Sequence, residues 1–115
     1  MLRQRQPRVH DESHLTFIRS LVCVICGDNT SVEAAHLRVA DARAAKRYVG
    51  KSEKPDDRWA LPMCGGHHRQ QHNVGEHDFW KHYDIDPVFV ALALSSVSGE
   101  YGDAIQVIEN ARRAA

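Results

Sequence analysis

Residues 64–72 read Cys-Gly-Gly-His-His-Arg-Gln-Gln-His, so four of nine side chains in this segment are potential metal ligands. Upstream, the chain also carries a C-x2-C pair. Together the two segments complete a set of four zinc ligands: Cys23, Cys26, Cys64 and His67. Such a set is enough to close one tetrahedral zinc site. Because each pair lies beside a glycine or a tight turn, the spacing predicts a structural zinc ion that joins two distant parts of the chain.

Two more histidines follow, His68 and His72, four residues apart and therefore on one face of a helix. His67 and His68 are neighbours, and neighbouring side chains on a helix point about 100° apart. They cannot easily bind the same ion. The spacing therefore predicts a second, open metal site on His68 and His72. The alternative is that one of these two is the fourth zinc ligand and the other lies in solvent.

Length and charge limit the classes of protein to consider. The chain has 115 residues, 43% of them hydrophobic, which suits one domain with a modest core. The formal net charge is zero, so attraction to nucleic acid can only be local. Positions 38–58 hold seven basic residues against four acidic ones, and the first eight residues add Arg3, Arg5 and Arg8.

Cysteine usage and hydropathy indicate a compartment. Three cysteines are an odd number, which argues against a disulfide framework. The charged N-terminal segment is not followed by an apolar one, so we expect no signal peptide, and no apolar run reaches membrane-spanning length. We therefore expect a protein of the reducing cytoplasm, where thiolates can hold zinc.

Apolar periodicity and capping residues predict an α+β fold within a single domain, 1–115. We expect a mobile basic tail over 1–9, a core over 20–75 and a helical extension over 76–115. The predicted elements are a helix starting at Asp11 or Ser13, a strand over 31–39, a helical turn or two within 40–48, a loop over 50–55, a strand over 58–63, and helices over 67–74, 76–83, 88–97 after Asp86-Pro87, and from an Asp103 cap to Arg113. Trp59, Phe79, Trp80 and Phe89 are expected in the core.

Four segments together resemble the HNH nucleases: Cys23-x2-Cys26, Ala35-His36, Leu61-Pro62-Met63-Cys64-x2-His67-His68, and His72 one helical turn later. The core of that family is a β-hairpin and a helix around one catalytic metal, the ββα-metal fold. The resemblance covers roughly residues 20–75 and implies an HNH core with a structural zinc knuckle, surrounded by further helices. The later Phe79-Trp80 and Asp84-Ile85-Asp86-Pro87 resemble small HNH proteins of phages and prophages.

The resemblance implies a role for each matching residue. His36 would be the general base, and His68 with His72 would hold a divalent cation such as Mg²⁺, Mn²⁺, Ni²⁺ or Zn²⁺. Arg38 or Arg58 would clamp a neighbouring phosphate. The residues expected to contact the DNA backbone are Arg38, Arg43, Lys46, Arg47 and Arg58.

The chain departs from the family pattern at two places. Many members carry Asp or His directly before the general base, where this chain has Ala35. The middle asparagine is also missing, and the chain has Asp57 near that place. Asp57 is expected to act in its stead, either by orienting His36 or by touching the metal through water.

The resulting hypothesis is an HNH endonuclease of phage or prophage origin that hydrolyses DNA with little sequence specificity, in the cytoplasm of a bacterial host. A recombination or packaging protein would be a suitable partner. Two alternatives stay open: a catalytically silent, zinc-stabilised DNA-binding module, and a zinc-ribbon-like protein-interaction domain. The oligomeric state also stays open, because the apolar C-terminal helices could pack on the hairpin or across a dimer.

Overall fold

The computed structural model describes residues 9–50 and 55–114, and this part of the chain has an α+β fold with five α-helices and one two-stranded sheet. The order of elements is α1 (Glu12–Arg19), β1 (Val32–His36), a 3-10 turn (Ala42–Ala44), a second 3-10 turn (Asp57–Trp59), β2 (Ala60–Cys64), α2 (Gly65–Val74), α3 (Glu76–Tyr83), α4 (Pro87–Ser96) and α5 (Tyr101–Ala114). The predicted tail, apart from Val9, and most of the predicted loop over 50–55 lie outside the described residues.

Strands β1 and β2 form an antiparallel hairpin in which Val32 pairs with Cys64 and His36 pairs with Ala60. β1 ends at His36, three residues earlier than the sequence predicts. The N–H of Leu37 still donates to the Trp59 carbonyl at 3.0 Å. The N–H groups of Arg38 and Val39 instead donate to the Glu76 carboxylate, at 2.9 and 3.0 Å, so the strand pairing does not continue. The register places the zinc-ligand end of β2 and His36 at opposite ends of the hairpin.

Side-chain caps start two of the helices: Asp86 as the sequence predicts, and Asp11 as one of the two predicted alternatives, Asp11 or Ser13. The Asp11 carboxylate accepts from the N–H of His14 at the start of α1, and Asp86 accepts from the N–H of Phe89 at the start of α4. The predicted cap at Asp103 is wrong, because α5 already begins at Tyr101. Asp103 lies instead in the first turn, where its negative charge faces the positive end of the helix dipole.

The charged connection between the strands contains less helix than predicted. One 3-10 turn, Ala42–Ala44, is closed by a bridge between Asp41 and Lys46. A second 3-10 turn, Asp57–Trp59, takes the first two positions predicted for β2, so that strand begins at Ala60. Val9, predicted to belong to a mobile tail, is bonded through its backbone to this second turn.

The core lies between the hairpin and the surrounding helices. Its largest buried apolar side chains include Ile18, Leu37, Leu61, Met63, Phe79 and Leu94. Trp59 and Trp80 are buried, as predicted. Phe89 is not, since 67% of it is exposed: Val88, Val90, Ala91 and Leu94 are the residues through which α4 is buried. Among the described helices, none is long and apolar enough to cross a membrane.

Candidate functional site

Four predicted zinc ligands meet at one end of the hairpin. Cys23 and Cys26 come from the turn after α1, and Cys64 and His67 from the junction of β2 and α2. Their ligand atoms all lie within 4.8 Å of one another. The Cys64 Sγ atom is 3.2 Å from His67 Nδ1, Cys23 Sγ is 3.8 Å from the same nitrogen, and Cys26 Sγ is 4.0 Å from Cys64 Sγ.

These distances fit a tetrahedral zinc ion. Zinc bonds of about 2.3 Å to sulfur and about 2.0 Å to nitrogen place the ligand atoms about 3.5–3.8 Å apart, which the observed spacings bracket. The turn that brings two cysteines together depends on Gly27, whose φ of +76° is favourable for glycine. Its N–H donates to the Cys23 carbonyl at 2.8 Å. The cluster could therefore bind a metal ion such as zinc.

The thiols themselves favour a cation. Burial and the neighbouring thiols raise the pKa of Cys26 to about 11. Burial also acts to raise the pKa of Cys23, but N–H groups of Cys64, Cys26 and Ile25 outweigh it and the pKa of Cys23 is lowered. Several thiolates packed together repel one another, and a divalent cation between them would offset that repulsion.

His68 and His72 form a separate pair on α2. Their Nε2 atoms are 3.2 Å apart, within the range of about 3.0–3.4 Å expected for two imidazoles on one metal ion. His67 instead turns its Nδ1 toward Cys64 and lays its ring edge-on against Tyr83. The two adjacent imidazoles thus face different clusters, as their angular separation on a helix predicts.

Glu33 belongs to this pair, and sequence reasoning missed it. Its Oε1 atom lies 2.7 Å from Nδ1 of His68, so it can fix the orientation of that ring. Glu33 is opposite Met63 in the hairpin, next to the start of α2. The only signal that could have found it is the strand register. Across the described residues, the Cys₃His cluster is the only group of three or more candidate ligands, so an ion on His68 and His72 would need further oxygen ligands from outside the protein.

His36 lies at the end of β1 with its ring bonded to a buried carboxylate. Its Nε2 atom is 2.9 Å from Oδ1 of Asp57, which is fully buried at 0% exposure. The other oxygen, Oδ2, accepts from the N–H of Asp11 at 2.6 Å. Of the two roles predicted for Asp57, orienting His36 has direct geometric support. A contact to the metal through water stays a prediction.

One cavity of about 710 Å³ connects these groups. Its wall includes His36, His68 and His72, and also Arg38 and Glu76. Ala35, by contrast, is buried in the core, so position 35 adds no ligand to the cavity.

A family model described as "Protein of unknown function (DUF968)" matches residues 1–98. The chain belongs to the DUF968 family. The matched part contains both clusters, the His36–Asp57 pair and the helices through α4. No curated protein and no solved structure matches the chain. The family description assigns no activity to DUF968 proteins, so the function has to be argued from the geometry of the site.

The residues of this DUF968 protein that are predicted to contact DNA differ in their burial and in the groups they contact. Lys46 is buried at 5% exposure, donates to the Val39 carbonyl at 2.6 Å and lies 5.5 Å from the centre of the Trp59 ring. Burial also lowers its pKa. The ammonium group of Lys46 is thus bonded within the loop, and a contact between Lys46 and DNA stays a prediction.

The four arginines of that set differ in what they contact. Arg43 lies between two carboxylates, those of Asp41 and Asp86, at 2.6 and 2.8 Å. Arg38 lines the cavity and donates to the Gly50 carbonyl at 2.5 Å. Arg58 is exposed and stacks over Trp59, and Arg47 is exposed and donates to the Tyr48 carbonyl. Arg38 is thus the basic residue of the predicted set that shares a cavity with His36.

Proposed function

We propose that this DUF968 protein is a metal-dependent endonuclease of the HNH type that hydrolyses DNA phosphodiester bonds, with His36 as the general base. The observation that carries the proposal is the shared cavity: an imidazole backed by a buried carboxylate faces the same space as a pair of imidazoles suited to a divalent cation. A base and a cation are a minimal set for attacking a phosphodiester, whose own charge repels nucleophiles.

Asp57 prepares His36 for this role. A carboxylate oxygen 2.9 Å from Nε2 can only accept, so it favours the tautomer with hydrogen on Nε2 and a lone pair on Nδ1. Nδ1 would take a proton from water while the water oxygen forms a bond to phosphorus. The bond from phosphorus to the leaving 3′-oxygen breaks in the same step, and that oxygen takes a proton from solvent.

His68 and His72 would hold the cation, and Glu33 would orient His68. When bound, a divalent cation offsets the negative charge that develops around the phosphate during hydrolysis. Two nitrogen ligands suit Ni²⁺ or Zn²⁺ better than Mg²⁺ or Mn²⁺, which prefer oxygen. The Cys₃His cluster would hold a structural zinc ion that takes no part in the reaction.

Arg38 would clamp a DNA phosphate, a role supported by its position in the same cavity wall as His36. Exposed Arg47 and Arg58 would add contacts to the DNA backbone. Because the proposed contacts are arginines that would bind the DNA backbone and not base edges, we propose cutting with little sequence specificity. A nuclease of this kind would suit a phage or prophage, where a recombination or packaging protein could direct the cut.

A plasmid-nicking assay with Mg²⁺, Mn²⁺ or Ni²⁺ tests the proposal. We expect the wild type to nick supercoiled DNA and His36→Ala to be slower by about a hundredfold or more, the usual scale of a lost general base. The matched control is His82→Ala, which removes an exposed imidazole from α3 and should cut like the wild type. Equal nicking by the wild type and His36→Ala would contradict the proposal.

A second candidate function is a catalytically silent, zinc-stabilised DNA-binding module. It is favoured by the composition of the open site, because within the described ranges no third residue joins His68 and His72 in a metal-holding group and Ala35 is buried. A gel shift without cleavage under any of the three cations would support this alternative.

A further inference from the structure

The segment just before α1 is bonded to the turn that carries Asp57. The N–H of Val9 donates to Oδ1 of Asp56 at 2.8 Å, and the N–H of Asp57 donates to the Val9 carbonyl at 3.1 Å. The N–H of Asp11 donates to Oδ2 of Asp57 at 2.6 Å. These bonds join positions 46 or more residues apart in the sequence, so residues 9–11 act as a strap across the start of the second 3-10 turn.

His10 is the central residue of this strap, and its ring contacts the same carboxylate as the proposed base. His10 Nδ1 lies 2.9 Å from Oδ2 of Asp57, and His36 Nε2 lies 2.9 Å from Oδ1. One carboxylate therefore lies between two imidazoles. Because Asp57 is fully buried, its charge depends on such donors for stabilisation.

We propose that His10 is a positioning residue that acts through Asp57 to set the orientation and tautomer of His36. His10 and the N–H of Asp11 both hold Oδ2, which leaves Oδ1 directed at the His36 ring. Without His10, Oδ2 has one donor fewer, and the carboxylate can turn to recover it at the expense of His36. The catalytic consequence rests on the proposed nuclease function, whereas the effect on the His36 ring does not.

His10 has a second neighbour, and the experiment must separate the two. Its Nε2 atom lies 3.7 Å from Oε2 of Glu12, whose side chain is 62% exposed. Exposed ion pairs of this kind contribute little to the stability of the fold. Glu12→Gln removes this contact and leaves the Asp57 contact in place, so it is the matched control.

The test compares four full-length proteins: wild type, His10→Ala, His10→Asn and Glu12→Gln. The ¹⁵N shifts of the His36 ring report its tautomer, and nicking assays give kcat and KM. We expect His10→Ala to move the His36 ring away from the Nε2–H tautomer and to lower kcat about ten- to a hundredfold, with KM little changed. His10→Asn offers an amide N–H near the place of Nδ1, so it should restore the His36 tautomer and kcat. Glu12→Gln should resemble the wild type.

Unchanged His36 ring shifts in His10→Ala would overturn the inference, whatever the activity. So would a Glu12→Gln protein that reproduces the defect, because His10 would then act through the surface pair. A wild type that cuts no DNA while its His36 ring still responds to His10→Ala would refute the nuclease function and uphold the positioning role. Thermal melts of all four proteins verify that the exposed substitutions leave the fold intact.

Discussion

His67 and His68 are adjacent and chemically identical, yet their surroundings assign them to different sites. His67 directs Nδ1 toward two cysteine sulfurs, whereas His68 directs Nδ1 toward Glu33 and Nε2 toward His72. The helix that starts at Gly65 sets this division, because successive side chains leave it about 100° apart. Neighbouring positions on this helix therefore face different groups: position 67 faces the Cys₃His cluster, and position 68 faces Glu33 and His72.

His14 is a buried histidine outside both clusters. It is 3% exposed, its Nδ1 atom lies 2.6 Å from the Ser98 hydroxyl, and its Nε2 atom is buried with no hydrogen-bond partner. Burial lowers the pKa of His14 below its ordinary value of 6.5, although Asp11 and Asp57 act in the opposite direction. Between the lowered pKa and 6.5, His14 is therefore mostly neutral in the folded protein but mostly protonated in the unfolded chain.

This asymmetry predicts a loss of stability in acid. Above pH 6.5 the ring is neutral in both states and contributes nothing to the pH dependence. As the pH falls from 6.5 toward the lowered pKa of the folded state, the unfolded chain binds more protons and the free energy of unfolding decreases. In His14→Phe, the part of the pH dependence of the free energy of unfolding that comes from His14 should vanish. Urea unfolding of both proteins from pH 5 to 8 would measure it, and parallel curves for the two would contradict it.

At the scale of elements, α2 and α3 are joined by a buried polar contact. Gly75, with a φ of +97°, ends α2 and allows α3 to start at the next residue. Gln71 on α2 is 2% exposed, and its Oε1 atom accepts from the indole N–H of Trp80 on α3 at 2.8 Å. This bond fixes how α3 packs against the helix that carries His68 and His72.

Gln71→Leu should therefore destabilise the protein by about 1–3 kcal/mol, because the buried indole N–H of Trp80 loses its acceptor. The adjacent Gln70→Leu is the control. Gln70 is exposed and accepts from the Tyr83 hydroxyl, which water can serve instead, so its loss should cost less than about 1 kcal/mol. Urea titrations of the two variants give the comparison, and equal losses would show that the buried bond is not stabilising.

At the scale of the whole molecule, the Cys₃His cluster joins the turn after α1 to the junction of β2 and α2. The strap at residues 9–11 makes a second long-range connection, to the turn before β2. Both connections converge on the hairpin and position its two ends. The Cys₃His cluster lies at one end of the hairpin, and the cavity lined by His36 lies toward the other.

Metal removal should therefore unfold much of the chain. Structural zinc binds zinc-finger peptides with an apparent free energy of about 10–16 kcal/mol at pH 7. If zinc occupies the cluster, dialysis against a chelator should therefore lower the free energy of unfolding by more than about 5 kcal/mol. His67→Ala should lose the tightly held metal and melt early, while His68→Ala should keep both metal and fold. Metal analysis with thermal melts decides this, and the opposite pattern would reverse the assignment of the two histidines.

Local signals in the sequence were sufficient for the cap at Asp86, the bounds of α3, and the grouping of Cys23, Cys26, Cys64 and His67, and they narrowed the α1 cap to Asp11 or Ser13. Each of these depends on side chains a few residues apart, whose geometry a helix or a tight turn sets by itself. Only the tertiary structure decided that Glu33 supports His68, that Lys46 is buried, and that His10 and His36 share Asp57. The physical reason is that these contacts join positions far apart along the chain, and their partners depend on the hairpin register and on the path of the loops, neither of which has a local sequence pattern.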